Sequence, residues 1–266
     1  MCIAAFVWQS HPLYPLLLLL NRDEYHNRPT KPLAWWEGCD ILGGRDEVAG
    51  GTWLACSRQG RVAFLTNVLE LRPRLRPFSR GELPVKFLES RKSPHEYAEE
   101  ITKEGDEYNG FNLIVADIAS KTMVYVSNRP EGEPPTIQEI SPGIHVLSNA
   151  KLGIPWHKVQ RLRGKFKELL GKYGESDIPI KEMIEKLMRD TVKADESMLP
   201  HICALDWECD QSSIFTDTET KMGHFGTRST AALTVTATGE VTFYETCLEK
   251  EIWAEKTVNY CIEKMK

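Results

Sequence analysis

Residues 3–8, Ile-Ala-Ala-Phe-Val-Trp, and residues 13–20, which end in five consecutive leucines, are two apolar runs joined by a short polar turn carrying Pro12. A β-strand points successive side chains to opposite faces, so a run without a polar break predicts a strand covered on both sides. Two such runs across a turn predict a hairpin. The chain is therefore expected to begin inside a sheet that has further layers above and below it. The leucine run is too short to cross a bilayer, which takes ~20 residues. It is preceded by Gln9, Ser10, His11 and Pro12 and followed by Asn-Arg-Asp-Glu, with no basic residue ahead of it and no small-residue cleavage site behind it. Those flanks argue against a secretory signal, and the absence of arginine before Arg22 argues against a transit peptide.

The rest of the chain continues the same pattern. Gly43-Gly44 and Gly50-Gly51 predict tight turns, and residues 52–56 and 62–67 predict a second hairpin turning at Arg58-Gln59-Gly60, which makes four strands before residue 70. Residues 69–84 hold three prolines and four arginines and predict a loop, with a helix after it. A second helix is signalled at Ser93-Pro94-His95-Glu96, where serine at the cap, proline at the first position and glutamate three residues on form a reciprocal capping arrangement, and Gly105 ends it. Residues 111–117, 122–128 and 144–149 predict strands. In 155–173 Trp156, Val159, Leu162, Phe166, Leu169 and Tyr173 recur at helical spacing, and 180–193 predict another helix. Residues 225–237, 241–246 and 253–262 return to strand. Strands, then two helices, then strands is not the alternation of a doubly wound sheet; it fits antiparallel sheets with helices layered outside. No linker divides the 266 residues, so a single domain over 1–266 is expected.

Bulk properties narrow the function classes. The net charge of -5 and pI near 5.9 give no drive towards nucleic acid. Seven scattered cysteines without a CxxC fit a reducing compartment. Cys203, Cys209 and His201 lack a second pair of ligands and match no zinc spacing, so no metal is expected.

Several residue types carry chemistry. Cys2 follows Met1 directly, and cysteine is small enough for the initiator methionine to be trimmed. Trimming would give the thiol its own α-amine, which titrates near ~8 beside a thiol near ~8.5, so nucleophile and base would share one residue. The plain alternative is a small buried residue in a first strand. The hairpin returns Asn21-Arg22-Asp23-Glu24 to the neighbourhood of Cys2, where an arginine would favour the thiolate and an aspartate would hold the amine. Four charged or polar residues at a strand end are also an ordinary turn. Asn67 and Asn149 each end an apolar strand, where a side-chain amide can donate to a developing oxyanion or simply close a turn. Arg228, entering the strand that follows Gly226-Thr227, would be costly without a carboxylate, either a substrate's or that of Asp23.

Taken together, the Met-Cys-Ile start, Asn21-Arg22-Asp23-Glu24-Tyr25, Arg28-Pro29, Gly50-Gly51-Thr52-Trp53-Leu54, Leu65-Thr66-Asn67, Arg80-Gly81-Glu82-Leu83, Tyr108 to Leu113, Leu147-Ser148-Asn149-Ala150, Pro155-Trp156 and Gly226-Thr227-Arg228 carry a resemblance. The sequence resembles the NRDE-motif family, the homologues of transport and Golgi organisation protein 2, over nearly its whole length. That family is similar in turn to the N-terminal-nucleophile amidohydrolases that include penicillin and bile-salt acylases. The resemblance implies an α+β, four-layer αββα fold with two mainly antiparallel sheets. It also implies a site of Cys2, Arg22, Asp23, Asn67, Asn149 and Arg228. In the acylases the arginine and aspartate are separated, whereas Arg22 and Asp23 are adjacent, so on a regular strand they would face opposite sides.

The same resemblance implies a role in intracellular handling of haem or acyl-coenzyme A lipids linked to Golgi organisation and secretion. The expected location is cytoplasmic, with Golgi or mitochondrial association and peripheral membrane contact. The alternative is a hydrolase cleaving an amide or thioester through an acyl-Cys2 intermediate. In a binding role Arg22, Arg228 and the arginines at 72, 74, 76 and 80 would meet carboxylates or phosphates, although charge runs in loops are commonly just solvated. Haem, if bound, would draw its axial ligand from His26, His145, His157, His201, His224 or a cysteine, none of which sits in a haem motif.

Overall fold

The computed structural model describes residues 2–71 and 77–263. Among the described residues fourteen strands form two sheets, every pairing within them antiparallel. The first sheet is built around β1 (Ile3–Trp8) and β2 (Leu16–Tyr25). β10 (Gly143–Leu147) lies beyond β1, and β12 (Gly223–Val235), β13 (Glu240–Glu249) and β14 (Ile252–Cys261) follow β2 on the other side, with β11 (Asp217–Thr220) on the end of β12. The second sheet runs in chain order: β3 (Thr30–Trp35), β4 (Leu42–Asp46), β5 (Leu54–Cys56), β6 (Arg61–Asn67), β7 (Phe111–Asp117), β8 (Thr122–Ser127) and β9 (Thr136–Glu139).

Side-chain alternation on the first hairpin shows why its runs are unbroken. Ala4, Phe6, Trp8, Leu16, Leu18 and Leu20 enter the core between the two sheets. Ile3, Ala5, Val7, Leu17 and Leu19 enter a second core under α3 (His157–Tyr173) and the turn of helix that starts at α4 (Ile180–Met183). The outer face of the second sheet is covered by α1 (Glu82–Glu89) and α2 (Pro94–Lys103) through Leu83, Phe87, Tyr97 and Ile101. These are the four layers αββα, the fold class the sequence led us to expect. The α2 cap is as read: Ser93 accepts from the Glu96 N–H, and the Glu96 carboxylate accepts from the Ser93 N–H.

Several elements depart from the reading. β2 does not stop at Leu20 but runs on through Asn21-Arg22-Asp23-Glu24 to Tyr25, because β12 pairs with it as far as Tyr25. β3 and β4 lie where only turns were expected, so six strands precede residue 70. The helix expected over 180–193 leaves regular form at Ile184 and ends at Met188. The C-terminal strand is Ile252–Cys261, one residue earlier at each end than expected.

Candidate active site

β1 and β2 pair with Ile3 opposite Asn21 and Ala4 opposite Leu20; one more step in that register sets Cys2 opposite Arg22. Residues directly opposite in an antiparallel pair share a face. Arg22 accordingly faces the space between the sheets with Cys2, and both line one cavity of about 290 Å³, at the lower end of the sizes that take a small ligand. The Arg22 guanidinium stacks 4.1 Å from the Trp53 ring centroid and donates from Nη1 to Thr30 Oγ1 at 3.1 Å. Burial lowers the basicity of Arg22, while Glu24, Cys2 and Asp46 favour its charge. Cys2 is 6% exposed; burial pushes its thiol up and Asp23 adds to that, whereas the Asp23 backbone N–H and the Arg22 cation pull it down.

Asp23 projects the other way, as the pleat requires of a neighbour on a strand that has not broken. It accepts from Thr227 Oγ1 at 2.7 Å on β12. Burial raises its carboxyl above the ordinary range, opposed by the Lys158 cation and the Thr227 hydrogen bond. The adjacency of Arg22 and Asp23 thus places one charge on each face of the first sheet, with Cys2 at the strand end where both reach it.

Asn67, the last residue of β6, lines the Cys2 cavity, and its side chain makes no hydrogen bond among the described residues. Its amide is free to donate into the cavity. Asn149 is fully buried: Nδ2 donates to the Asn67 carbonyl at 2.8 Å, and Oδ1 lies 2.8 Å from Ser148 Oγ, which is 3.0 Å from the Cys2 carbonyl oxygen. Asn149 does not line the cavity. It ties the end of β6 to the start of β1 and so holds Asn67 and Cys2 in relation to each other.

Arg228 stands elsewhere. β12 bulges between Thr227 and Ser229 where it pairs with β2, and Arg228 is the extra residue. Its Nη1 donates to the Tyr25 carbonyl at 3.3 Å and to the Arg28 carbonyl, so it braces residues 25–30. The carboxylate expected beside it is not Asp23, which Thr227 engages. Burial lowers the basicity of Arg228, and the nearby Arg22 cation lowers it further. It faces neighbouring cavities and not that of Cys2.

Two further cations meet the Cys2 cavity. Arg28 is committed to Asp46 through Nε and Nη2 at 2.8 and 2.7 Å; against burial, this pair holds Asp46 below the usual carboxylate range. Arg80 is placed by a backbone contact: a Cβ on Gly51 would lie 2.3 Å from the Gly81 carbonyl carbon, so only glycine lets the two chains touch, and the Thr52 N–H donates to Gly81 O at 2.9 Å. Arg80 donates to the Gly110 carbonyl at 2.9 Å and lines the Cys2 cavity. Arg72, Arg74 and Arg76 lie outside the described residues.

None of His26, His145, His157, His201 or His224 lines this cavity. His26 and His224 stack on each other at 4.0 Å beside another one, and His145 Nε2 lies 2.8 Å from the Ser141 carbonyl. Among the described residues no three His, Cys, Asp or Glu side chains gather as metal ligands, and no helix is long and apolar enough to cross a membrane.

One residue escaped the sequence reading. Lys158, in the first turn of α3, is 2% exposed, and its charge is felt by both Asp23 and Cys2. The signal was present: Lys158, Leu162, Phe166 and Leu169 are the buried stripe of α3, so a lysine occupies an apolar position.

The fold has counterparts among known proteins. Two structures of variants of the conjugated bile acid hydrolase of Clostridium perfringens superpose on this chain with TM-scores of 0.51, covering 97% and 98% of it and 96% and 97% of those chains, at 10% and 11% identity. That likeness is one of fold, the N-terminal-nucleophile hydrolase-like fold. The chain is 33% identical to the mouse transport and Golgi organization 2 homolog and 32% identical to the human protein, in each case across 99% of this chain and all of the relative. Residues 1–250 match the family described as Transport and Golgi organisation 2, and the chain belongs to that family.

Proposed function

We propose that the Cys2 cavity is an acyl-transfer site, acting on an amide or thioester whose remaining part is anionic, with acyl-coenzyme A as the favoured substrate class. The observation that carries this is the shared face of Cys2 and Arg22 above a cavity into which the Asn67 amide is free to donate. With Met1 removed, the α-amine of Cys2 takes the thiol proton and the sulfur attacks the carbonyl carbon. Asn67 donates to the oxyanion. The carbonyl bond to the leaving amine or thiol breaks, that group takes the proton back from the ammonium, and an acyl-Cys2 thioester remains. Water, deprotonated by the same amine, then releases the carboxylate. Arg22 and Arg80 supply positive charge for the anionic portion. The relatives' names connect them with transport and Golgi organisation, and turnover of acyl lipids is a chemistry such a role can use.

Intact mass with and without an acyl-coenzyme A tests the reading: loss of Met1 together with a transient acyl adduct on Cys2 is expected, and a retained Met1 sinks it. Haem handling is the second reading, favoured by Arg22 and Arg80 as partners for propionates. Since no histidine lines this cavity among the described residues, Cys2 would have to ligate the iron there. A haemin absorbance titration in which Cys2→Ala binds like the unmodified protein would dismiss that.

A further inference from the structure

The Nζ of Lys158 has no hydrogen-bonding partner among the described residues, although the side chain is almost wholly buried. An unpaired buried ammonium costs several kcal/mol unless a charge nearby offsets it. Lys158 stands on the wall of a small cavity between α3 and residues 194–212. Gln211 shares that wall, is 2% exposed, and leaves both amide atoms unbonded. The one carboxylate on this wall, Glu208 of α5 (Leu205–Asp210), already accepts from the backbone N–H groups of His201, Ile202 and Cys203 at 2.8, 2.5 and 2.6 Å. His157, the neighbour of Lys158 on its own helix, lines the same cavity. The carboxylate whose charge reaches the ammonium is Asp23, which β2 projects onto this face of the sheet.

We propose that Lys158 is a positioning residue for the Cys2 reaction, an ammonium that acts from the helix face of the first sheet to hold Asp23 as an anion and to bias Cys2 towards its thiolate. This rests on reading Cys2 as the nucleophile. The charged groups around Cys2 are then Arg22, Glu24, Arg28, Asp46 and Arg80 on the cavity wall, the terminal amine, and Asp23 and Lys158 from the helix side. Burial disfavours the ammonium form of Lys158, and Asp23 and Cys2 favour it; loss of the thiol proton and retention of the lysine proton therefore reinforce each other.

The test is the rate of alkylation of Cys2 by iodoacetamide across pH, resolved by peptide mass spectrometry, in the unmodified protein, Lys158→Met and Lys158→Arg. Exposed Cys261 serves as an internal control. Lys158→Met is expected to move the Cys2 profile up by about one pH unit, slowing alkylation on its acidic limb about tenfold, with Lys158→Arg restoring most of the rate and Cys261 unmoved. Removing the ammonium leaves Asp23 as a buried charge without its cation, so Lys158→Met is expected to melt lower; a melting curve checks that it is folded at the assay temperature, and Lys158→Arg keeps the charge in place. An unchanged Cys2 profile in Lys158→Met, or an equal shift at Cys261, overturns the proposal. Alkylation reads the thiol without any substrate. A lysine-dependent profile in a protein that turns over no acyl compound would defeat the acyl-transfer reading alone, and turnover with an unmoved profile would defeat only the role of Lys158.

Discussion

At the Cys2 end of the first sheet the two faces differ in kind. The face towards the second sheet is open, rich in arginine and carries an uncommitted amide, Asn67. The face towards α3 is closed and holds one carboxylate and one ammonium, Asp23 and Lys158, both buried. Cys2 sits at the strand end between them. The difference separates two tasks: the groups that hold a ligand lie on the open face, while Asp23, which reaches the edge of the same cavity, and Lys158 set protonation from the other. Strand pleating makes the division possible with two adjacent residues, Arg22 and Asp23.

Substitutions on each face should therefore fail in different ways. The largest effect is expected from Cys2→Ala, which removes the atom common to both faces: turnover of an acyl-coenzyme A falls roughly a thousandfold or more, while calorimetry shows ligand affinity nearly unchanged. Asp23→Asn keeps a group for Thr227 to bond but removes the charge, and should lower kcat by roughly a hundredfold with little change in KM. Arg80→Met, on the open face, should do the reverse, raising KM or Kd about tenfold and sparing kcat. If Asp23→Asn changed KM and Arg80→Met changed kcat, the division of labour would be wrong.

Smaller effects sharpen the boundary of the site. Gly51→Ala forces the Gly81 backbone away and should cost about 1–3 kcal/mol of stability in a urea titration, with weaker ligand binding because Arg80 moves. The Arg28–Asp46 pair gives the smallest. Asp46 is held low in the folded state, so its contribution is present above the unfolded carboxylate value of ~3.9 and is lost as pH falls through the folded value. Asp46→Asn should flatten the acid limb of a stability-against-pH curve there.

How far these faces could be read in advance follows from which interactions are local. The hairpin of β1 and β2 was legible because its apolar runs have no polar interruption, and the capped start of α2 because its signal spans only four residues. β3 and β4 were not: Gly43-Gly44 reads as a turn, and the two segments become strands only through pairing with each other and with β5. The extension of β2 through Arg22 and Asp23 depends in the same way on β12, some two hundred residues away. Cys2, Arg22, Asp23 and Asn67 do meet at one cavity. Arg228 leaves the group because a bulge, invisible in local sequence, turns it towards residues 25–30. Lys158 was missed because a lysine beside Trp156 and Val159 reads as solvated until the fold buries the first turn of α3.

The central claim is that Cys2 reacts with an acyl carbonyl. Mass spectrometry of the protein quenched in acid during incubation with an acyl-coenzyme A tests it most directly. The account predicts a chain lacking Met1 that carries one acyl group, mapped to Cys2 and absent in Cys2→Ala. A chain that retains Met1, or an acyl group found on other cysteines and not on Cys2, would contradict it.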